Sequence, residues 1–161
     1  MRGRQGGGPL WPAALGHGRA LSARPIWLMG SAARPATVLL VDDDDGMRHL
    51  LKRILERAGF VTVLASNGRD ALERFRERPI DLAITDMVMP EMDGIELIRA
   101  LTAERPGLPI IAISGVHDWA NYLRMAIALG AKAGIQKPVG AADLAGTVRR
   151  LLAPSEERGI T

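Results

Sequence analysis

The sequence predicts an α/β domain, a doubly wound sheet of five parallel strands with helices on both faces, preceded by a disordered N-terminal tail. Three observations carry this. From Thr37 onward, strand-like apolar runs alternate five times with segments of helical apolar spacing, joined by short connections, as parallel strands linked by crossover helices require. The strand runs are unbroken rather than alternating, which is the pattern of strands covered on both faces. Acids, a hydroxyl and a lysine stand at the ends of those runs, where such sheets bind their ligands.

The elements follow in order. Residues 37–41 form an apolar run ending in acids, and Met47, Leu50, Leu51, Ile54, Leu55 and Ala58 recur at helical spacing before Gly59, a helix-stop residue. Residues 60–65 read as the second strand. Ala71, Leu72 and Phe75 mark a helix over 70–75, with Pro79 closing the unit, and 80–85 is the third strand. Asp93 is a candidate N-cap for a helix over 94–103, which carries Ile95, Leu97, Ile98 and Leu101 on its apolar side. Residues 109–113 read as a strand and 118–129 as a helix stopped by Gly130. A short fifth strand over 133–136 and a helix over 141–152, followed by Pro154, complete the pattern.

The 161-residue chain is long enough for one ordinary domain with a sizeable core. It has no cysteine, which excludes disulfides, thiol catalysis and cysteine-based zinc sites. No apolar run approaches the ~18 residues of a membrane span. The net charge of +3 is unevenly placed, because residues 1–35 hold five arginines (Arg2, Arg4, Arg19, Arg24, Arg34) and no acid, leaving the remainder slightly acidic. The organisation expected is therefore a Gly/Pro/Arg-rich tail over 1–35, a domain over 36–153 and a short C-terminal tail over 154–161. The first tail lacks both periodicities and cannot bury enough apolar surface to offset its ordering entropy. It also lacks the 7–15-residue apolar core of a secretory signal. A transit peptide, a nucleic-acid-binding arm and an inert extension with the true start at Met29 all remain open for it. A cytoplasmic location is the expectation.

The first strand ends in Asp42 and Asp43, the third in Asp86, the fourth in Ser114-Gly115, and the fifth in Lys137-Pro138. Three carboxylates at one rim repel each other unless a cation joins them. Carboxylate oxygens with waters are what Mg²⁺ prefers, commonly with a phosphate. Asp44 and Asp45 are then free to begin the first helix, where negative charge suits the dipole.

These residues resemble the receiver domains of two-component response regulators. Leu40-Val41-Asp42-Asp43-Asp44, the run from Asp81 to Gly94 around Asp86-Met87-Val88-Met89-Pro90, Ile113-Ser114-Gly115 and Gln136-Lys137-Pro138 carry the likeness, in order and on the matching strand ends. The resemblance covers 36 to about 153 and implies the flavodoxin-like form of the fold. It implies that Asp86 accepts a phosphoryl group from a phosphohistidine. It further implies that Asp43, Asp86 and the Val88 backbone carbonyl bind Mg²⁺, and that Asp42 acts mainly through a metal-bound water. Lys137 would pair with Asp86 and then with the phosphoryl oxygens, and Ser114 would supply the switch hydroxyl. Pro138 would follow a peptide bond that is often cis. The implied partners are a histidine kinase or histidine phosphotransfer protein and a downstream protein target, with no membrane. The chemistry agrees, since displacement at phosphorus needs an ionised oxygen nucleophile and cations on the equatorial oxygens, and no general base. The histidines fit no role in it: His17 lies in the tail, and His49 and His117 on or beside helices.

One departure stands out. The family often has an aromatic residue three positions before the lysine, and here that position is Gly134. Trp119 and Tyr122 are the nearest candidates for a partner-contacting surface, with half-buried packing as their alternative. Val88 and Val116, two residues beyond Asp86 and Ser114, are apolar and cannot orient a hydrolytic water.

Two rival functions compete with this one. A haloacid-dehalogenase-type phosphatase would use Asp43 as nucleophile within Asp43-Asp44-Asp45-Gly46, but it needs a paired acid motif after its lysine, and the nearest acid there is the lone Asp143. A nucleic-acid-binding regulator would act through the basic tail; about nine residues follow the last helix, too few for a DNA-binding module. The expectation is thus a single-domain phosphoacceptor that is not an enzyme in the ordinary sense and signals by protein contact or onward phosphorelay.

Overall fold

A computed structural model describes residues 34–154. The expectations for the tails before and after them lie outside the described residues, except at Arg34. That side chain makes a bidentate pair with Asp81 at 3.0 and 3.2 Å. Asp81 also accepts from the Thr37 amide at 2.7 Å, so it ties the start of the first strand to the approach of the third.

The element order is β1 (Thr37–Val41), α1 (Asp45–Arg57), β2 (Val61–Ala65), α2 (Gly68–Glu77), β3 (Leu82–Asp86), α3 (Gly94–Glu104), β4 (Ile110–Ser114), α4 (Trp119–Leu129), β5 (Ala133–Gln136) and α5 (Ala141–Leu152). All strand pairs are parallel, in the order β2-β1-β3-β4-β5. The chain reverses direction across the sheet between β1 and β3, and the rim above that junction is the switch point.

Unbroken apolar strands serve two cores because successive side chains face opposite ways. Val38 and Leu40 of β1, Leu82 and Ile84 of β3, and Ile111 and Ile113 of β4 pack with Leu51 and Leu55 of α1 and Leu144 and Val148 of α5. Leu39, Val41, Ala83, Ile110 and Ala112 face the other way, toward α2, α3 and α4. Burial on both faces holds for the three inner strands. The edge strands depart from it: Val61 of β2 is exposed, and β5 is only half-buried or exposed along its length. Each edge strand has a neighbour on one side only, so its outer flank meets solvent.

Two helices, α1 and α2, begin two residues before their apolar periodicity does, because caps rather than apolar residues set their starts. Asp44 caps α1 by accepting from the Met47 amide at 2.7 Å. Asn67 caps α2 through Asp70, and Asp93 caps α3 through Glu96, as expected of it. Gly130 ends α4 with a φ of 122°, open to glycine at little cost. No side chain caps α4, and only Ala126 of that helix is fully buried.

Candidate functional site

The alternation that builds the two cores also aims the site. Asp42 continues the parity of Val38 and Leu40, Asp86 that of Leu82 and Ile84, and Lys137 that of Ala133 and Ile135. All three therefore emerge toward the α1 and α5 side. Val41 pairs with Thr85 in the β1–β3 register, so the next step places Asp42 beside Asp86. Ser114 has the opposite parity, with Ile110 and Ala112.

Asp42 and Asp86 are almost fully buried, whereas Asp43, one residue into the loop, is exposed. Carboxylate oxygens of Asp42, Asp43 and Asp86 all lie within 4.8 Å of one another. Lys137 Nζ reaches Asp86 Oδ2 at 3.2 Å and Asp42 Oδ2 at 3.4 Å. The other oxygens are held by main chain: Asp42 Oδ1 accepts from the Asp44 amide at 2.9 Å, and Asp86 Oδ1 from the Val88 amide at 3.3 Å. Lys137 is itself placed by its amide, which donates to the Ser114 carbonyl at 2.9 Å. The Lys137–Pro138 peptide bond is cis.

Three negative charges thus face one ammonium. Burial pushes the Asp42 carboxyl above its ordinary value, and the neighbouring Asp86 charge adds to that. The Asp44 amide and Lys137 work in the opposite sense without cancelling it. For Lys137, burial favours the neutral amine, but the charges and hydrogen bonds of Asp86 and Asp42 together outweigh it and raise its pKa. A cluster of hard oxygen donors with this surplus of negative charge suits Mg²⁺.

The expected site residues do not all converge in the same way. Ser114 is fully buried, and its hydroxyl accepts from the Val116 amide at 3.3 Å rather than facing the acids. The Val88 side chain is half exposed. His49 and His117 are exposed. Trp119 and Tyr122 are half-buried; the Trp119 ring lies against Gly134, where a Cβ would sit 2.9 Å from Cζ2. Asp45 starts α1 and pairs with Arg48, and neither it nor Asp143 joins the acid cluster.

Three contributors escape a reading of the sequence. Thr85 is fully buried and donates through its hydroxyl to the Asp86 carbonyl at 2.8 Å. Arg48 donates to the Asp42 carbonyl at 2.7 Å. Gly94 lies against the backbone of Asp86 and Met87. Thr85 and Gly94 lie within the motif but carry no expected role there, and Arg48 looks like any polar residue of a helix.

Comparison with known proteins agrees with this geometry. The family model described as the response regulator receiver domain matches residues 38–149. The chain is 40% identical over 115 residues to the response regulator receiver protein CpdR of Brucella abortus, covering 71% of this chain and 95% of that protein. It is 41% identical over 102 residues to the chemotaxis protein CheY of Thermotoga maritima, covering 63% and 84% respectively. Among solved structures, a CheY-like response regulator receiver domain protein from Methanospirillum hungatei superposes with a TM-score of 0.72 at 29% identity, covering 78% of this chain and all of that one. The phosphatase reading built on Asp43 is not favoured by the family match or by the sheet order. With its sheet order, its acid cluster and the lysine opposite, this chain belongs to the response regulator receiver domain family.

Proposed function

We propose that Asp86 is the phosphoryl acceptor, drawing on a histidine kinase or histidine phosphotransfer protein as donor. The observation that carries this is the pairing of the buried Asp86 with Lys137 beside two further carboxylates at the switch point. An Asp86 oxygen attacks phosphorus, the P–N bond of the phosphohistidine breaks, and its electron pair returns to the imidazole nitrogen. A carboxylate nucleophile, unlike a hydroxyl, needs no general base to remove a proton during attack. Lys137 stands where it can follow the charge from the Asp86 carboxylate onto the phosphoryl oxygens.

Asp43, Asp86 and the Val88 carbonyl are the groups that would hold Mg²⁺, with Asp42 acting through a water. The ion supplies charge neutralisation for the incoming phosphoryl oxygens. Ser114 would give up its long bond to the Val116 amide and turn toward the new anion, altering the loop of residues 115–118 that leads into α4. The product then signals by protein contact or by passing the group onward, from a cytoplasmic location, rather than by turning over a substrate.

The test is phosphorylation with a small phosphodonor and Mg²⁺ followed by peptide mapping. Label belongs on Asp86 and is lost in Asp86→Asn; label on Asp43 would overturn the assignment.

A further inference from the structure

The three acids of the cluster are not anchored alike. Asp42 and Asp86 are buried, and each carries hydrogen bonds to both its oxygens. The Asp43 carboxylate is exposed and, among the described residues, has no hydrogen-bond donor. Its direction toward the other two therefore depends on the main chain that precedes it, the Asp42–Asp43 peptide.

That peptide is gripped from one side by Arg48. The Arg48 side chain is only 12% exposed; its guanidinium donates through Nη1 to the Asp42 carbonyl at 2.7 Å and pairs through Nη2 with Asp45. It thereby bridges the end of β1 to the first turn of α1, closing a loop already tightened by the Asp44 amide on Asp42 Oδ1 and the Met47 amide on Asp44 Oδ1. A planar guanidinium spanning two acceptors fixes orientation more firmly than a single point charge would.

We propose that Arg48 is a positioning residue for the Asp43 carboxylate, holding the Asp42–Asp43 peptide so that Asp43 faces Mg²⁺. This rests on the metal-site reading given above. Charge and positioning predict opposite signs for the effect of losing Arg48. As a charge alone, Arg48 repels a divalent cation, and its removal strengthens Mg²⁺ binding. As a positioning group, its removal weakens binding, since loss of groups that orient metal ligands typically costs about 10–100-fold in metal affinity.

The experiment is a Mg²⁺ titration followed by amide NMR shifts in wild type, Arg48→Ala, Arg48→Gln and Arg149→Ala. Arg149 donates to the Ala58 carbonyl at the far end of α1 and serves as a surface arginine of like bonding outside the site. Arg48→Ala is expected to bind Mg²⁺ about tenfold more weakly, with faster exchange of the Asp44 amide in the metal-free protein. Arg48→Gln, which keeps an N–H donor without the charge, is expected between it and wild type, and Arg149→Ala at the wild-type value. If Arg48→Ala does not fold, Arg48→Gln decides alone by whether it binds more weakly or more tightly than wild type. Unchanged or tighter binding in the Arg48 variants overturns this inference by itself. A wild type that does not bind Mg²⁺ overturns the metal site and this inference together.

Discussion

Gly94 stands against the main chain of Asp86. A Cβ at position 94 would meet the Asp86 carbonyl oxygen and lie 2.7 Å from the Met87 Cα. The Gly94 amide donates to the Met87 carbonyl at 3.1 Å, so α3 begins directly on the strand end that presents the acceptor. The obstacles are backbone atoms, which cannot swing aside as a side chain tip can. Gly94→Ala should destabilise the domain by about 1–3 kcal/mol, as overpacking does, and should slow phosphorylation by displacing Asp86. Denaturant unfolding and labelling rates check this; a variant of wild-type stability and rate would show that the strand end yields freely.

Asp42 gives a pH dependence. Its folded-state carboxyl lies above the ordinary value of 3.8, chiefly through burial, so the folded protein holds that proton more tightly than the unfolded chain does. Ionisation therefore costs stability: the cost is absent below 3.8 and complete once pH has risen through the folded-state value. Asp42→Asn keeps an acceptor for the Asp44 amide and removes the charge. In metal-free buffer at neutral pH it should melt above wild type, with the gap closing in acid. Saturating Mg²⁺ should shrink or reverse the gap, because a ligand that binds only the folded state stabilises it. A wild type that melts higher in metal-free neutral buffer contradicts the argument.

The lifetime of the phosphorylated protein follows from Val88 and Val116. Neither side chain can hydrogen-bond a water in line with the phosphorus. Supplying orienting groups through Val88→Asn with Val116→Glu should lower the hydrolysis barrier by about 1–3 kcal/mol, roughly tenfold to a hundredfold in rate. Mg²⁺ binding should persist, because Val88 is expected to contribute only its carbonyl. Decay of label after donor removal is the measurement, and slow decay in both proteins would show that water is excluded by other means.

Gly134 makes room for α4. A Cβ there would collide with Leu123 and lie 2.9–3.0 Å from the Trp119 ring. Gly134→Ala should cost about 1–3 kcal/mol and change the emission of Trp119. Adding Leu123→Ala removes the nearest obstacle and should recover part of the loss. Stability of the single and double variants decides it; additive losses would mean that the two side chains do not compete for that space.

The order of strands and helices was legible in the chain because apolar periodicity reports burial, and burial on both faces of a sheet needs no knowledge of the neighbour. The acids and the lysine were legible for a related reason. Carboxylates at the ends of apolar runs are costly without a cation, so Asp42, Asp43 and Asp86 pointed to one, while the pairing of Lys137 with Asp86 was implied by the family resemblance. The tertiary structure decided what depends on register and close approach. Only the pairing of β1 with β3 and of β4 with β5 brings Asp42, Asp86 and Lys137 to one side while Ser114 turns to the other. Only packing shows that Thr85, Arg48 and Gly94 support the strand ends, because each acts on a neighbour's main chain, and main-chain contacts leave no periodic mark on sequence. At Gly134 the chain reveals a missing side chain; that Trp119 and Leu123 fill its place is decided by α4 settling on β5.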